Sequence, residues 1–205
     1  MIVTKENAGE LAWEKAQGLI PAVVQDADSG ALLMQAFMDR DSLDATLKTG
    51  LVTFYSRSRQ KIWQKGEESG NILKCTEISS DCDNDSLKVL AKPAGPVCHK
   101  GTDTCWDGST QPSLAFLSEL ETIIESRKGS SPEESYTAKL FENGTKFIAQ
   151  KVGEEAVETA LAASVGDDQE VLEESADLVY HLLVLLRSRN LELVAVIDTL
   201  RKRHK

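Results

Sequence analysis

The sequence predicts an α+β chain in two parts: a strand-rich N-terminal domain over residues 1–107 and an all-α helical bundle over 114–205, joined by a linker at 108–113. Three observations carry this. Short apolar runs bounded by turn residues fill the first half. In the second half apolar residues recur three and four apart, as in Leu114, Leu117, Leu120 and Ile124. The change falls at Asp107-Gly-Ser-Thr-Gln-Pro-Ser113, a polar stretch with Gly and Pro.

Taken in order, residues 11–17 are compatible with a short helix. Residues 21–25 and 31–38 read as the strands of a hairpin, because Asp26-Ala-Asp-Ser-Gly30 between them carries turn chemistry. Residues 39–49 read as a helix capped by Asp39 or Asp41 and ended by Gly50. A strand follows at 51–56. Strands at 72–79 and 86–92 bracket an acidic turn, Asp81-Cys-Asp-Asn-Asp85. After the linker the first helix breaks at Gly129-Ser-Ser-Pro132. Helices are expected over 136–143, 145–164, 168–188 and 191–203, with Gly144, Gly166 and Asn190 at their ends. Four or five helices with short connections make an antiparallel bundle. A bundle this small buries a thin core, so a homodimer is expected.

Composition narrows the function. The chain has 205 residues, 41% hydrophobic and 27% charged, which is ordinary for a globular protein. Its net charge is -10, and residues 113–205 carry 11 basic against 17 acidic side chains, so neither half offers the basic face of a nucleic-acid binder. Small phosphorylated substrates remain compatible, held by local lysines or bridged through a metal. No apolar run approaches the ~18 residues that span a bilayer. The N-terminal stretch MIVTKENAGE lacks a signal-peptide core. A cytoplasmic protein without nucleic-acid or membrane partners is expected. In that compartment Cys75, Cys82, Cys98 and Cys105 point to metal binding or burial rather than disulfides.

Three of those thiols and His99 fall within 24 residues. Zinc favours thiolate and imidazole and usually takes four ligands. Cys82, Cys98 and Cys105 leave one position for water; His99 in that position would close the site. Three thiolates weaken the metal's pull on its water, which favours His99 as a general base over a fourth ligand. The spacing is not that of a standard zinc finger, and a buried structural role stays open. Cys75, alternating on a strand, reads as core. Asp81, Asp83 and Asp85 share one face if the stretch is extended, and hard carboxylates suit Mg²⁺ or Ca²⁺. An EF-hand is a poor match, with Ser86 and Lys92 where Gly and Glu belong. The segment from Ser56-Arg-Ser-Arg59 to Trp63-Gln-Lys-Gly-Glu67 can surround a phosphate through Ser56, Arg57, Arg59 and Lys65, or form a basic surface loop over Trp63.

In the bundle Glu155 and Glu158 are spaced i,i+3, as are Glu174 and Asp177 on the next helix, with His181 one turn on. Two antiparallel helices bring the four carboxylates together, and such a set calls for a divalent cation. Glu154 stands beside it. Lys139, Lys146 and Lys151 are candidate phosphate ligands, although Lys151 is also placed to pair with Glu155. His181 reads equally as a core-edge histidine.

These motifs resemble known families. Pro21-Ala-Val-Val-Gln-Asp26, Ser56-Arg-Ser-Arg59, Trp63-Gln-Lys-Gly-Glu67, Ser69-Gly70, Asp81-Cys-Asp-Asn-Asp85 and Gly95-Pro-Val-Cys-His-Lys-Gly101 are similar to phosphoribosyl-AMP cyclohydrolase. Lys151-Val-Gly-Glu-Glu-Ala-Val-Glu158 with Glu174-Ser-Ala-Asp177 resembles phosphoribosyl-ATP pyrophosphohydrolase, of the all-α MazG-like superfamily. In this order they resemble the bifunctional enzymes of histidine biosynthesis, over about residues 19–203. The resemblance implies that the bundle cleaves phosphoribosyl-ATP to phosphoribosyl-AMP and pyrophosphate. The N-terminal domain then opens the purine ring between N1 and C6. It implies Zn²⁺ on Cys82, Cys98 and Cys105 at a dimer interface, with Cys82 from a different subunit than the other two. It further implies Mg²⁺ on Asp81, Asp83 and Asp85, His99 as base, and Mg²⁺ on Glu155, Glu158, Glu174 and Asp177 with Glu154 supporting. Val97, Lys100 and Trp106 depart from the usual family residues without touching a proposed ligand. The rival readings are a general nucleoside-triphosphate pyrophosphatase carrying a structural zinc domain, and a zinc-stabilised adaptor.

Overall fold

The computed structural model describes residues 1–106, 108–109 and 112–204. Asp107, Lys205 and, within the expected linker, Thr110 and Gln111 lie outside the described residues. The chain divides into two compact units, Met1–Ala115 and Phe116–Lys205.

The first unit is a six-stranded mixed sheet with one helix. Its strands are β1 (Ile20–Asp26), β2 (Leu32–Met38), β3 (Thr53–Ser56), β4 (Lys61–Gln64), β5 (Leu73–Ser80) and β6 (Leu87–Pro93), in the order β4-β3-β2-β1-β6-β5. Every neighbouring pair is antiparallel except β1 and β6, which run parallel with Ala22 opposite Leu87 and Val24 opposite Val89. Alternation drives β1: Ile20, Ala22 and Val24 are fully buried. Its hairpin to β2 turns on Asp26, whose Oδ1 accepts from the backbone N–H of Asp28 and Ser29. The helix α1 (Arg40–Thr49) begins with a capping box. The Asp39 carboxylate accepts from Ser42 N–H at 2.8 Å, and Ser42 Oγ accepts from Asp39 N–H at 2.9 Å. Gly50 ends it in the left-handed region, φ 72°.

Two features differ from the sequence expectations. Residues 11–17 form turns after a short 3-10 segment at Ala8–Glu10, not a helix; Gln17 and Gly18 both take positive φ. Leu11 and Trp13 instead plug the sheet core, and Arg40 lies over the Trp13 ring. Residues 61–64, where the sequence reading assigns no strand, form β4 and pair with β3, Phe54 opposite Trp63.

The second unit holds α2 (Ala115–Ser126), α3 (Tyr136–Val165), α4 (Asp168–Ser188) and α5 (Leu193–Arg203). Gly144, at φ 82° and ψ 168°, interrupts α3 where two helices were expected. Gly166 closes α3 in the left-handed region and Asp167 caps α4, accepting from Gln169 and Glu170 N–H, so α4 folds back along α3 after two residues. The core is thin: Ile124, Leu140, Ile148, Leu183 and Val184. Phe116, Val157, Leu161, Val165 and Leu172 stay exposed. Among the described residues no helix is long and apolar enough to cross a membrane.

Candidate functional site

The antiparallel return of α4 along α3 brings Glu155, Glu158 and Glu174 together, each offering an oxygen within 4.8 Å of the others. Glu155 is 5% exposed. Its neighbours are cationic or polar: Lys151 Nζ lies 3.4 Å from Glu155 Oε1 and 2.7 Å from Glu154 Oε2, and His181 Nδ1 lies 3.6 Å from Glu155 Oε1. The two carboxylates hold the Lys151 ammonium well above its ordinary range, and Lys151 with Gln150 holds Glu154 below its own. Burial, then the charges of Glu158, Glu155, Asp177 and Glu170, push the Glu174 carboxyl up. Asp177 stands outside the mutually close trio and adds its charge to it. A half-buried, oxygen-only set with this much uncompensated negative charge has the donor chemistry of a hard divalent cation site. Lys139 and Lys146 are exposed on α3.

The acidic turn between β5 and β6 forms the second set. Asp81, Asp83 and Asp85 converge within 4.8 Å, but not because the stretch is extended. It is a tight turn with Asn84 at φ 60°, in which Asp81 Oδ1 accepts from the N–H of Asp85 and Ser86 at 3.1 and 3.2 Å. The Lys15 ammonium pairs with Asp83 and lies 2.6 Å from Asp85. That pairing holds the Asp83 carboxyl below the usual carboxylate range. The turn's oxygens also fit a hard cation, provided Lys15 yields.

The thiols are split. Cys98 and Cys105 close a loop anchored by Cys98 N–H to Thr102 O and Cys105 N–H to Leu33 O. The two side chains lie close enough to influence each other's ionisation. The Lys100 backbone N–H, helped by Thr102 and Cys105, lowers the Cys98 thiol, whereas burial and Cys98 raise Cys105. His99 is exposed, Nδ1 3.8 Å from Cys98 Sγ. Cys82 is exposed in the acidic turn, and the three thiols are not mutually within 4.8 Å. Within one chain, therefore, Cys82 does not join Cys98 and Cys105 in a single close cluster. Cys75 packs against the sheet core, where burial pushes its thiol up to about 11.

The loop segment becomes a groove of about 630 Å³ along β2, β3 and β4, lined by Phe37, Tyr55, Ser56, Arg57 and Trp63 among others. The Arg57 guanidinium lies 3.9 Å over the Phe37 ring. Trp63 packs beneath on Phe54, ring centroids 5.4 Å apart. Arg59 is exposed in the following turn, its N–H donating to Ser56 Oγ at 3.2 Å. Lys65 turns inward: it is 9% exposed, donates to Asn71 O at 3.4 Å and lies close enough to feel both Cys98 and Cys105. Burial lowers its ammonium, and the thiols work against that shift. Gly66 makes the turn possible, since a Cβ there would meet the Asn71 carbonyl at 2.4 Å. Lys15 and Tyr136 (hydrogen-bonded to His181) went unnoticed in the sequence, because no local pattern links them to residues 68 and 45 positions away.

Residues 34–107 match the family model of phosphoribosyl-AMP cyclohydrolase, and residues 117–204 match that of phosphoribosyl-ATP pyrophosphohydrolase. The chain is 54% identical over 204 residues to the histidine biosynthesis bifunctional protein HisIE of Escherichia coli K12, covering all of both chains. Identity to the protein of that name from Salmonella typhimurium is 53%, again over the full length of both. For the Shewanella oneidensis protein it is 55%, over 98% of this chain and 95% of the relative.

Proposed function

This chain belongs to the family of bifunctional histidine-biosynthesis proteins, and on that premise we propose which of its residues carry each of its two hydrolytic reactions. It is a bifunctional enzyme, with a phosphoribosyl-AMP cyclohydrolase domain followed by a phosphoribosyl-ATP pyrophosphohydrolase domain. The observation that carries this reading is that the two family matches fall one in each compact unit, in a chain aligned end to end with its relatives. The bundle releases pyrophosphate and yields phosphoribosyl-AMP; the sheet domain hydrolyses that product between N1 and C6.

In the bundle, Glu155, Glu158, Glu174 and Asp177 are the residues that would hold Mg²⁺. When bound, that ion supplies charge neutralisation at the phosphates. Glu154 fixes Lys151 by its 2.7 Å contact, and Lys151 with Lys139 and Lys146 receives the negative charge of the departing pyrophosphate. In the sheet domain Asp81, Asp83 and Asp85 would hold a second Mg²⁺. Ser56, Arg57 and Arg59 at the groove bind substrate phosphate, the arginines through charge-assisted hydrogen bonds. Lys65, sunk near Cys98 and Cys105, contributes positive charge for substrate binding beside the thiols.

Cys98, Cys105 and Cys82 would hold Zn²⁺, whose contribution is Lewis acidity. The separation of Cys82 from Cys98 and Cys105 within one chain supports a site that draws Cys82 from a second copy. The homodimer this requires also answers the thin bundle core and the exposed Val157, Leu161 and Leu172. His99, exposed beside Cys98, takes the proton of the water that attacks C6. The protein works in the cytoplasm, on phosphorylated nucleotides.

Mass spectrometry of the products tests the assignment. With phosphoribosyl-ATP, Mg²⁺ and trace Zn²⁺, the chain yields pyrophosphate and the ring-opened ribotide. Cys98→Ala stops at phosphoribosyl-AMP, and Glu155→Gln stops pyrophosphate release. Unchanged turnover in both variants, or turnover of ordinary nucleoside triphosphates in preference to phosphoribosyl-ATP, would sink it.

A further inference from the structure

Behind the bundle carboxylates lies an imidazole to which neither reaction gives a role. His181, on α4, is 4% exposed and both its nitrogens are engaged. Nδ1 lies 2.9 Å from the backbone carbonyl oxygen of Asp177, one turn earlier. A carbonyl only accepts, so Nδ1 carries a proton. Nε2 lies within hydrogen-bond distance, 3.1 Å, of the hydroxyl of Tyr136 at the start of α3. The Tyr136 and Tyr180 rings meet the imidazole edge-on, with centroids 6.1 and 5.2 Å away. Tyr180 is itself tied to Thr137 by a 2.8 Å hydroxyl contact. The ring is therefore clamped in rotation, with its Nδ1–H edge turned to Asp177 and to Glu155 Oε1, 3.6 Å away.

We propose that His181, oriented by Tyr136, is a positioning residue that holds the buried Glu155 of α3 in place against the Glu174–Asp177 turn of α4 for a shared divalent cation. This rests on the reading that those carboxylates form a cation site. The physical case is convergence. Carboxylates aimed at one point repel each other until the ion arrives, and the buried Glu155 has least access to water to relieve that repulsion. Lys151 restrains its Oε1 at 3.4 Å, and the imidazole N–H edge restrains the same oxygen from α4. By binding the Asp177 carbonyl as well, His181 ties the local backbone of the second helix to the buried ligand of the first. Groups one layer behind metal ligands set ligand orientation and typically control affinity by about 10–100-fold.

The test uses the full chain carrying Asp83→Asn and Asp85→Asn, which silences the acidic turn, and follows Mn²⁺ binding by electron paramagnetic resonance. Adding Glu155→Gln must weaken Mn²⁺ binding; if it does not, the cation-site reading itself fails. Given that loss, His181→Phe, which keeps a packed ring, is expected to weaken binding by about 10–100-fold. His181→Asn, which returns an N–H near the Nδ1 position, restores most of it. Tyr136→Phe, at an exposed residue where folding is not at stake, weakens binding by about three- to tenfold. It also shifts the ring ¹⁵N signals of His181 away from the Nδ1–H tautomer. The proposal is overturned if Glu155→Gln weakens binding while Tyr136→Phe leaves both affinity and tautomer unchanged. Equal losses in His181→Phe and His181→Asn would also overturn it, because packing alone would then explain them. Should His181→Phe fail to fold, Tyr136→Phe and His181→Asn decide the matter.

Discussion

The Lys15 ammonium lies 2.6 Å from the Asp85 carboxylate and pairs with Asp83 as well, bridging two of the three acids that converge in the β5–β6 turn. An N-terminal side chain thus occupies oxygens proposed for a metal. The pair is more than half exposed on the lysine side, where ion pairs are weak. A divalent cation therefore displaces it at small cost. Lys15→Met, made with Glu155→Gln to silence the bundle, is expected to tighten Mg²⁺ binding at the turn by about two- to fivefold in titration calorimetry. Weaker binding would show Lys15 helping the ion rather than competing with it.

Glu174 gives a pH prediction. Burial and four neighbouring acids raise its carboxyl above the ordinary 4.5. A raised folded-state acid stabilises below its unfolded value, and that contribution is lost as pH rises through the folded value. In metal-free protein, Glu174→Gln should therefore raise the melting temperature at pH 7, with the gain shrinking as pH falls toward 4.5. Mg²⁺ should reverse the ranking, stabilising the natural chain more than the variant. A gain that persists at pH 4 would contradict the charge argument.

A zinc site shared between copies predicts complementation. Cys82→Ala and Cys98→Ala are each expected to lose cyclohydrolase activity. When the two are denatured together and refolded, half of the dimers are mixed, and each mixed dimer has one intact site. Cyclohydrolase activity then recovers to about a quarter of the natural level. No recovery, with zinc bound by neither variant, would place all three thiols within one chain.

Gly66→Ala probes the turn that aims Lys65. The position has φ 84°, and an added Cβ would sit 2.4 Å from the Asn71 backbone and 2.5 Å from Ile72 N. Strain of this kind costs about 1–3 kcal/mol. Urea unfolding should show that loss in the sheet unit alone, together with lower cyclohydrolase and unchanged pyrophosphohydrolase activity. Loss of both activities would mean that the substitution disturbs more than this turn.

Much of this architecture was legible because local rules were obeyed. The Asp26–Gly30 turn, the Asp39 cap with Gly50, and the Gly144 and Gly166 breaks all carried their own chemistry. Strand β4 escaped because Lys61-Ile-Trp-Gln64 is a short edge strand with only two apolar residues, and its identity comes from pairing with β3. Residues 11–17 misled because Leu11 and Trp13 are buried by the sheet rather than by a helical face. The carboxylates of α3 and α4 could be read from i,i+3 spacing plus a short loop. The grouping of Asp81, Asp83 and Asp85 was legible from the acidic turn, but its geometry comes from that turn and not from the strand alternation considered for it. Contacts such as Lys15 with Asp83 and Tyr136 with His181 join distant stretches and leave no periodic trace.

The parallel pairing of β1 with β6 also dictates how the polypeptide matures. Ala22 waits for Leu87, 65 residues later, before the central strand gains its second neighbour. Closing so long a loop is entropically slow, whereas α3 and α4 meet across a two-residue connection. As the nascent protein leaves the ribosome, the sheet half appears first and settles late, while the helical half appears last and settles quickly. Refolding from denaturant should accordingly show two kinetic phases, the slower one reporting Trp13 and Trp63 fluorescence.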